Sequence, residues 1–143
     1  MAGYNTNIAS EFYVLSNLAR MGLDAHLTLG NKKSVDIVVT LANQQYLTID
    51  VKGVAKKMDW LLGDKEPDIR PNHFYVLVSY NNTIDDVNTV PDTWVIPSEK
   101  LKTITDLLAA SKDGKTRFIR RSFVYKSPEC KEFKEGWQRL RTG

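Results

Sequence analysis

The sequence has little of what marks secreted, membrane or disulfide-bonded proteins. Cys130 is the sole cysteine among 143 residues, so no internal disulfide can form and a reducing compartment is favoured. No apolar run approaches the roughly eighteen residues of a transmembrane helix. The first residues, Met-Ala-Gly-Tyr-Asn-Thr-Asn, lack the basic and apolar regions of a secretory signal. We therefore expect an intracellular, cytoplasmic protein with no membrane association.

Other absences narrow the chemistry. His26 and His73 are far apart and have no cysteine at zinc-ligand spacing, so we expect each to be structural or exposed. The segment 30–34 ends like a phosphate-binding loop but lacks its first glycine and its Gly-Lys pair. No nucleophile signature surrounds Cys130. Zinc, phosphate-loop and thiol chemistry are all disfavoured.

Composition indicates one globular domain over residues 1–143, with 42% hydrophobic residues and a net charge of +3. The charge is too small to indicate nucleic-acid binding, but its distribution is informative. One basic cluster surrounds two aspartates, Asp36 and Asp50, and could steer a polyanion to them; it consists of Lys32, Lys33, Lys52, Lys56 and Lys57. A second basic run, within 117–126, is better explained as solvated surface.

Hydrophobic periodicity predicts an α/β domain around a mixed sheet. An amphipathic helix over 7–21 has an apolar stripe of Ile8, Phe12, Leu15, Leu18 and Ala19, and Gly22 suits its left-handed end. Strands follow at 25–29, 35–41, 45–52, 73–80 and 93–96. Within residues 53–72, one part around 58–62 is expected to form a short helix and another part a mobile flap. A second helix is expected over about 98–110, an extended segment over 117–125, and a last helix opened by Ser127-Pro128 with Phe133, Trp137 and Leu140 inward.

Two acidic residues and a lysine fall on one predicted hairpin. A turn near Asn43 pairs Val39 with Leu47 and keeps both apolar faces together, whereas a slip of one residue would destroy that agreement. The same register sets Asp36 opposite Asp50, with Cβ atoms roughly 5 Å apart. Lys52 lies on their side because the side-chain period of a strand is two.

Like charges set opposite one another in a sheet repel, so a fold that keeps Asp36 and Asp50 together is expected to hold a cation. Taken singly, Asp36 is better explained as a strand-end or turn carboxylate, and Asp50 with Lys52 as an exposed strand ladder with a salt bridge. Together with Lys52 they favour metal-assisted hydrolysis of phosphodiesters, since Mg²⁺ is commonly bound by one or two carboxylates plus substrate phosphate. Lys52 would position or help deprotonate the attacking water, or stabilise developing negative charge.

Two further residues are candidates. Helical spacing places Glu11 on or beside the apolar stripe, where it is either paired with a cation or a boundary residue whose carboxylate reaches solvent. The three tryptophans are expected to be core or hinge aromatics, and Trp60 is the best placed of them to stack on a base.

At these residues the chain resembles the PD-(D/E)XK nuclease superfamily. Asp36 matches the acid of its middle strand, Asp50-Val51-Lys52 matches its D-x-K, and Glu11 matches the acid of its opening helix. Val35 stands where the motif has proline, a position that varies in the family and serves only the backbone. The opening helix is also similar to that of archaeal Holliday-junction resolvases and small stand-alone endonuclease-like proteins.

The resemblance implies a restriction-endonuclease-like α-β-β-β-α-β core and a Mg²⁺-dependent endonuclease acting on DNA, with Mn²⁺ able to substitute. Asp36, Asp50 and the Val51 carbonyl would bind the metal, Lys52 would be catalytic, and Glu11 would support the metal or its water. A homodimer is compatible with it, since small nucleases of this type often need two sites to cut two strands. The alternatives are a catalytically inactive module on the same fold that binds nucleic acid or a protein, and an unrelated interaction domain with an incidental acidic hairpin.

Overall fold

The computed structural model describes residues 4–28, 35–64, 66–104 and 106–142. It has a mixed α/β fold with a mixed central sheet. In chain order the elements are α1 (Thr6–Arg20), β1 (Asp24–Leu27), β2 (Ile37–Thr40), β3 (Tyr46–Val54), β4 (Trp60–Gly63), β5 (His73–Ser79), β6 (Asp92–Pro97), α2 (Lys100–Thr103), β7 (Leu108–Ala110), β8 (Arg117–Ile119), α3 (Arg121–Lys126), α4 (Pro128–Lys131) and a 3₁₀ helix (Trp137–Arg141).

The described residues form two sheets. The larger has the strand order β1-β2-β3-β5-β6 and is antiparallel except where β3 runs parallel to β5, and the smaller has the order β4-β8-β7. α1 packs on one face of the larger sheet through Val14 and Leu18. The smaller sheet and the C-terminal helices cover the other face, where Trp60, Ile119 and Phe133 are buried. Both faces of β5 are therefore covered, which explains why every residue of that strand is buried.

The register predicted for the central hairpin is confirmed. Val39 lies opposite Leu47 and Ile37 opposite Ile49, with these four side chains fully buried. The turn is closed by the Asn43 side chain, whose Oδ1 accepts a hydrogen bond from the amide of Gln45 at 3.0 Å.

α1 lies where it was expected, and Gly22 ends it in the left-handed region at φ 77°. The expected apolar stripe is partly wrong, because Ile8 and Phe12 are each about half exposed, at 52% and 53%. The helix is rotated so that Ser10, with Val14 and Leu18, faces the sheet. Gly53 of β3 explains this rotation, since a residue without a side chain lets the helix approach the strand through its smallest polar residue.

The chain after β3 departs from the predictions. Residues 60–63 form β4 rather than the helix expected around 58–62, so the expected core order holds only as far as the third strand. The helix expected over 98–110 shortens to α2 and gives way to β7, and the extended segment over 117–125 divides into β8 and α3. Short apolar runs do not distinguish helix from strand, and here the pairing of β4 and β7 with β8 decides the outcome.

The C-terminal segment opens as predicted. Ser127 Oγ accepts a hydrogen bond from the amide of Glu129 at 3.2 Å, and Pro128 occupies the first helical turn. α4 is only one turn long, but Phe133 and Leu140 beyond it are fully buried, as expected. None of the helices in the described ranges has the length and apolar character needed to cross a bilayer.

Candidate active site at the open edge of strand β3

The antiparallel ladder between β2 and β3 ends at Asp36. Its amide donates to the carbonyl of Ile49 at 3.0 Å, and its carboxylate oxygen Oδ2 accepts from the amide of Val51 at 2.7 Å. The side chain thus takes the hydrogen bond that a further backbone partner would have made. β3 continues to Val54 beside β5, while its other edge is no longer paired with β2 in the described residues.

A cleft of about 630 Å³ opens beside this edge, and we call it the edge cleft. It lies between the first half of α1 and the connection from β3 to β4. Acidic and basic side chains and the backbone of β3 line this cleft. The lining residues with groups that can take part in chemistry are Glu11, Asp36, Val51, Lys52, Lys56 and Asp59. Of these, Asp59 is also structural, because its Oδ1 accepts from the amide of Arg121 at 2.8 Å and so anchors the start of α3.

The close contact between α1 and β3 sets one wall of the edge cleft. A Cβ atom added to Gly53 would lie 1.9 Å from the Oγ of Ser10, which is 1% exposed. Glu11 follows Ser10 and Lys52 precedes Gly53, so this contact fixes their spacing across the cleft. The small residues at the contact therefore position two of the predicted site residues.

The oxygen atoms at this edge suit a hard cation. The N–H and C=O of one residue point to the same side of an antiparallel strand. Since the Val51 amide points at Asp36, its carbonyl faces the same open edge. Carboxylate and carbonyl oxygens are the ligands that Mg²⁺ and Ca²⁺ prefer, and Glu11, Asp36 and Val51 supply them at the edge cleft.

Asp50 points toward the neighbouring strand β5. Its Oδ2 lies 3.1 Å from Nε2 of His73, its side chain is 17% exposed, and it is not among the residues that line the edge cleft. Tyr75 also shares a side-chain hydrogen bond with Asp50. An ionised carboxylate has about four acceptor positions, so these two contacts leave it further acceptor capacity. Nowhere in the described part of the chain are three His, Cys, Asp or Glu side chains grouped to hold a metal ion.

His73, which the sequence predicts to be structural or exposed, is held by a polar partner at each ring nitrogen. It is 1% exposed, and its Nδ1 lies 2.7 Å from the hydroxyl of Thr48 while Nε2 meets Asp50. Tyr75 shares this environment: burial raises the pKa of its hydroxyl to about 12, and the negative charges of Asp50 and Asp68 add to the effect. A histidine at the start of an otherwise apolar strand indicates a buried polar contact. Its partners cannot be predicted from this pattern, because they depend on the pairing of β3 with β5.

The predicted nucleic-acid contacts have mixed outcomes. Lys56 and Lys57 are exposed near the edge cleft, while Lys32 and Lys33 lie outside the described residues. Trp60 is a core aromatic, as expected of the tryptophans, and it also lines the edge cleft. Its side chain is fully buried and its indole N–H donates to the carbonyl of Val78 at 3.1 Å, because β4 folds under the larger sheet.

A solved structure with a similar architecture was found. It is described as a bacterial homing endonuclease, I-Ssp6803I, and it superposes with a TM-score of 0.59 over 98% of this chain and 93% of its own, at 14% sequence identity. The chain therefore shares the fold of that structure. No protein-family model and no curated protein matches the sequence.

Proposed function

We propose that this chain is a metal-dependent nuclease that hydrolyses phosphodiester bonds of DNA at the edge cleft. The observation that carries the proposal is the meeting of Glu11, Asp36, Val51 and Lys52 at the open edge of β3. Its fold is shared with a protein described as an endonuclease, which supports a polynucleotide as substrate.

Hydrolysis requires attack of water on phosphorus, cleavage of a P–O bond and transfer of a proton to the leaving oxygen. Lys52 would neutralise charge on the attacked phosphate and orient the water, and an ammonium group aimed at developing charge is effective in a partly enclosed site. Glu11, on the opposite wall, would hold or orient the same water. Lys56 and Lys57 would hold the flanking phosphates, since backbone charge dominates nucleic-acid affinity.

Mg²⁺ fits the oxygen donors present, and Asp36, Asp50 and the Val51 carbonyl would hold it. The ion would lower the pKa of bound water and stabilise charge on the phosphate. Asp36 would then have two roles, since its Oδ2 also accepts from the Val51 amide. Asp50 would contribute through the oxygen that does not face His73.

Cleavage of plasmid, linear and branched DNA, with RNA alongside, in Mg²⁺ or Mn²⁺ tests the proposal. Asp36→Asn keeps the acceptor for Val51 but removes the charge, and we expect it to lose metal-dependent cutting. Lys52→Met should lower the rate by about 10²–10³-fold. Asp24→Asn and Lys102→Met are charge-matched controls at exposed positions and should cut like the wild type.

Two results would refute the proposal. One is a wild-type protein that cuts none of these substrates with either metal. The other is an Asp36→Asn variant that cuts as fast as the wild type, since the site would then not need that charge.

A catalytically inactive DNA-binding module is the second candidate. It is favoured by the side chain of Asp50, which points to His73 and does not line the edge cleft. Binding without cleavage in wild type, reduced by replacing Lys56 and Lys57 with Glu and with a salt dependence shallower by about one unit per lost phosphate contact, would select this candidate.

A further inference from the structure

A partly buried series of polar side chains joins β3 to β5 on the side of β3 away from α1. It runs from the hydroxyl of Thr48 to Nδ1 of His73 at 2.7 Å, and from Nε2 of His73 to Oδ2 of Asp50 at 3.1 Å. The parallel pairing of the strands produces it, because Thr48 lies beside His73 and Asp50 beside Tyr75 in the register. The imidazole is thus held at both nitrogen atoms.

For an ionised carboxylate beside a neutral imidazole, the direction of each hydrogen bond follows from the chemistry of the three groups. An ionised carboxylate only accepts, so Nε2 of His73 must carry the hydrogen that faces Asp50. In the neutral ring Nδ1 is then an acceptor, and the Thr48 hydroxyl donates to it. The hydroxyl therefore selects the tautomer that presents a donor to the carboxylate.

Folding alone does not require the hydrogen bonds among Thr48, His73 and Asp50. His73 begins a strand whose residues are all buried, and its side chain is completely withdrawn from solvent. A buried polar ring is costly unless its hydrogen bonds are made, and an apolar residue of similar size would avoid that cost. The histidine contacts the aspartate of the D-x-K sequence, immediately before Val51 at the open edge.

We infer that His73 is a positioning residue that orients Asp50, with Thr48 orienting His73 in turn, so that Oδ1 of Asp50 is presented to a divalent cation. The inference rests on the proposed function, because it requires Asp50 to be a metal ligand. Hydrogen-bond partners that orient a ligating side chain typically change metal affinity by about 10–100-fold when removed.

Mn²⁺ titration of the intact protein without DNA tests the inference, with bound metal followed by its paramagnetism. His73→Met removes the donor at similar volume and should weaken Mn²⁺ binding by about 10–100-fold. His73→Gln retains an N–H donor and should recover most of the affinity. Thr48→Val removes only the hydroxyl and should weaken binding by a smaller factor, and it decides the question alone if His73→Met does not fold.

Tyr125→Phe is a matched control. It removes a hydrogen bond of 2.7 Å from a hydroxyl to the carboxylate of Asp92, away from the edge cleft, and should lower stability while leaving Mn²⁺ affinity unchanged. A purely structural role for His73 would give its variants the same pattern as this control.

The outcomes separate the inference from the proposed function. If Asp50→Asn loses Mn²⁺ binding but the folded His73 and Thr48 variants bind like wild type, the positioning role is wrong and the metal site remains. If Asp50→Asn binds Mn²⁺ as tightly as wild type, Asp50 is not a ligand, and the metal set of the proposed function is wrong with it.

Discussion

Gly53→Ala is the sharpest test of how α1 and β3 build the edge cleft. The added methyl group would lie 1.9 Å from Oγ and 2.7 Å from Cβ of Ser10, far inside van der Waals contact. Ser10 is buried in a helix and cannot move away alone. The whole of α1 must therefore shift away from β3, which carries Glu11 away from Lys52.

The expected magnitude follows from two opposing effects. Overpacking a well-filled core costs about 1–3 kcal/mol. Replacing glycine by alanine within a strand returns roughly 0.5–1 kcal/mol, because the unfolded chain loses less conformational freedom. We expect the free energy of unfolding to fall by about 1–2 kcal/mol.

Urea denaturation of a double-mutant cycle measures this clash. Ser10→Gly removes both clashing atoms, although glycine inside a helix costs about 1 kcal/mol by itself. The double variant should be more stable than the sum of the two single changes predicts, by about 1–2 kcal/mol. A Gly53→Ala protein with the urea midpoint of wild type, or a cycle that is simply additive, would show that α1 does not contact β3 at this point.

Three further predictions concern buried groups. Trp60→Phe removes the indole N–H that donates to the carbonyl of Val78 and should lower the free energy of unfolding by about 0.5–1.5 kcal/mol in thermal denaturation. It should not change the DNA affinity of the folded protein. Burial raises the pKa of Tyr75 from 10.0 to about 12 in the folded protein. The contribution of its neutral hydroxyl to stability is therefore complete below pH 10 and is lost as the pH rises toward 12. Tyr75→Phe should flatten the curve of urea midpoint against pH over this range. Cys130 is fully buried, and burial, with the charge of Glu129, raises its thiol pKa to about 11. A thiol reagent at pH 8 should therefore label Cys130 only in urea. Fast labelling of the native protein would contradict this burial.

Local patterns in the sequence were sufficient to predict the register of the central hairpin. Strict alternation on two neighbouring segments leaves one register that buries both apolar faces, and Ile37 and Ile49 are opposite one another as that logic requires. The end of α1 at Gly22 is equally local, because a positive φ favours glycine.

Pairing between distant strands determined the features that local sequence patterns did not predict. Residues 60–63 have no preference strong enough to resist their partner strand, and they become β4 because β8 lies beside them. The direction of Asp50 depends on His73, and those residues meet only because β5 runs parallel to β3. The hairpin register correctly places the Asp36 and Asp50 backbones near each other, yet it carries no information on which way either carboxylate turns.

Asp36 ends a strand ladder with its side chain, and this has an evolutionary consequence. Any descendant of this protein that abandoned cleavage would still need an acceptor for the Val51 amide. Relaxed selection would therefore favour asparagine or serine at this position over apolar replacements. A polar residue there in a distant homologue would reveal ancestry and backbone geometry, and only its negative charge would bear on whether that homologue still cuts.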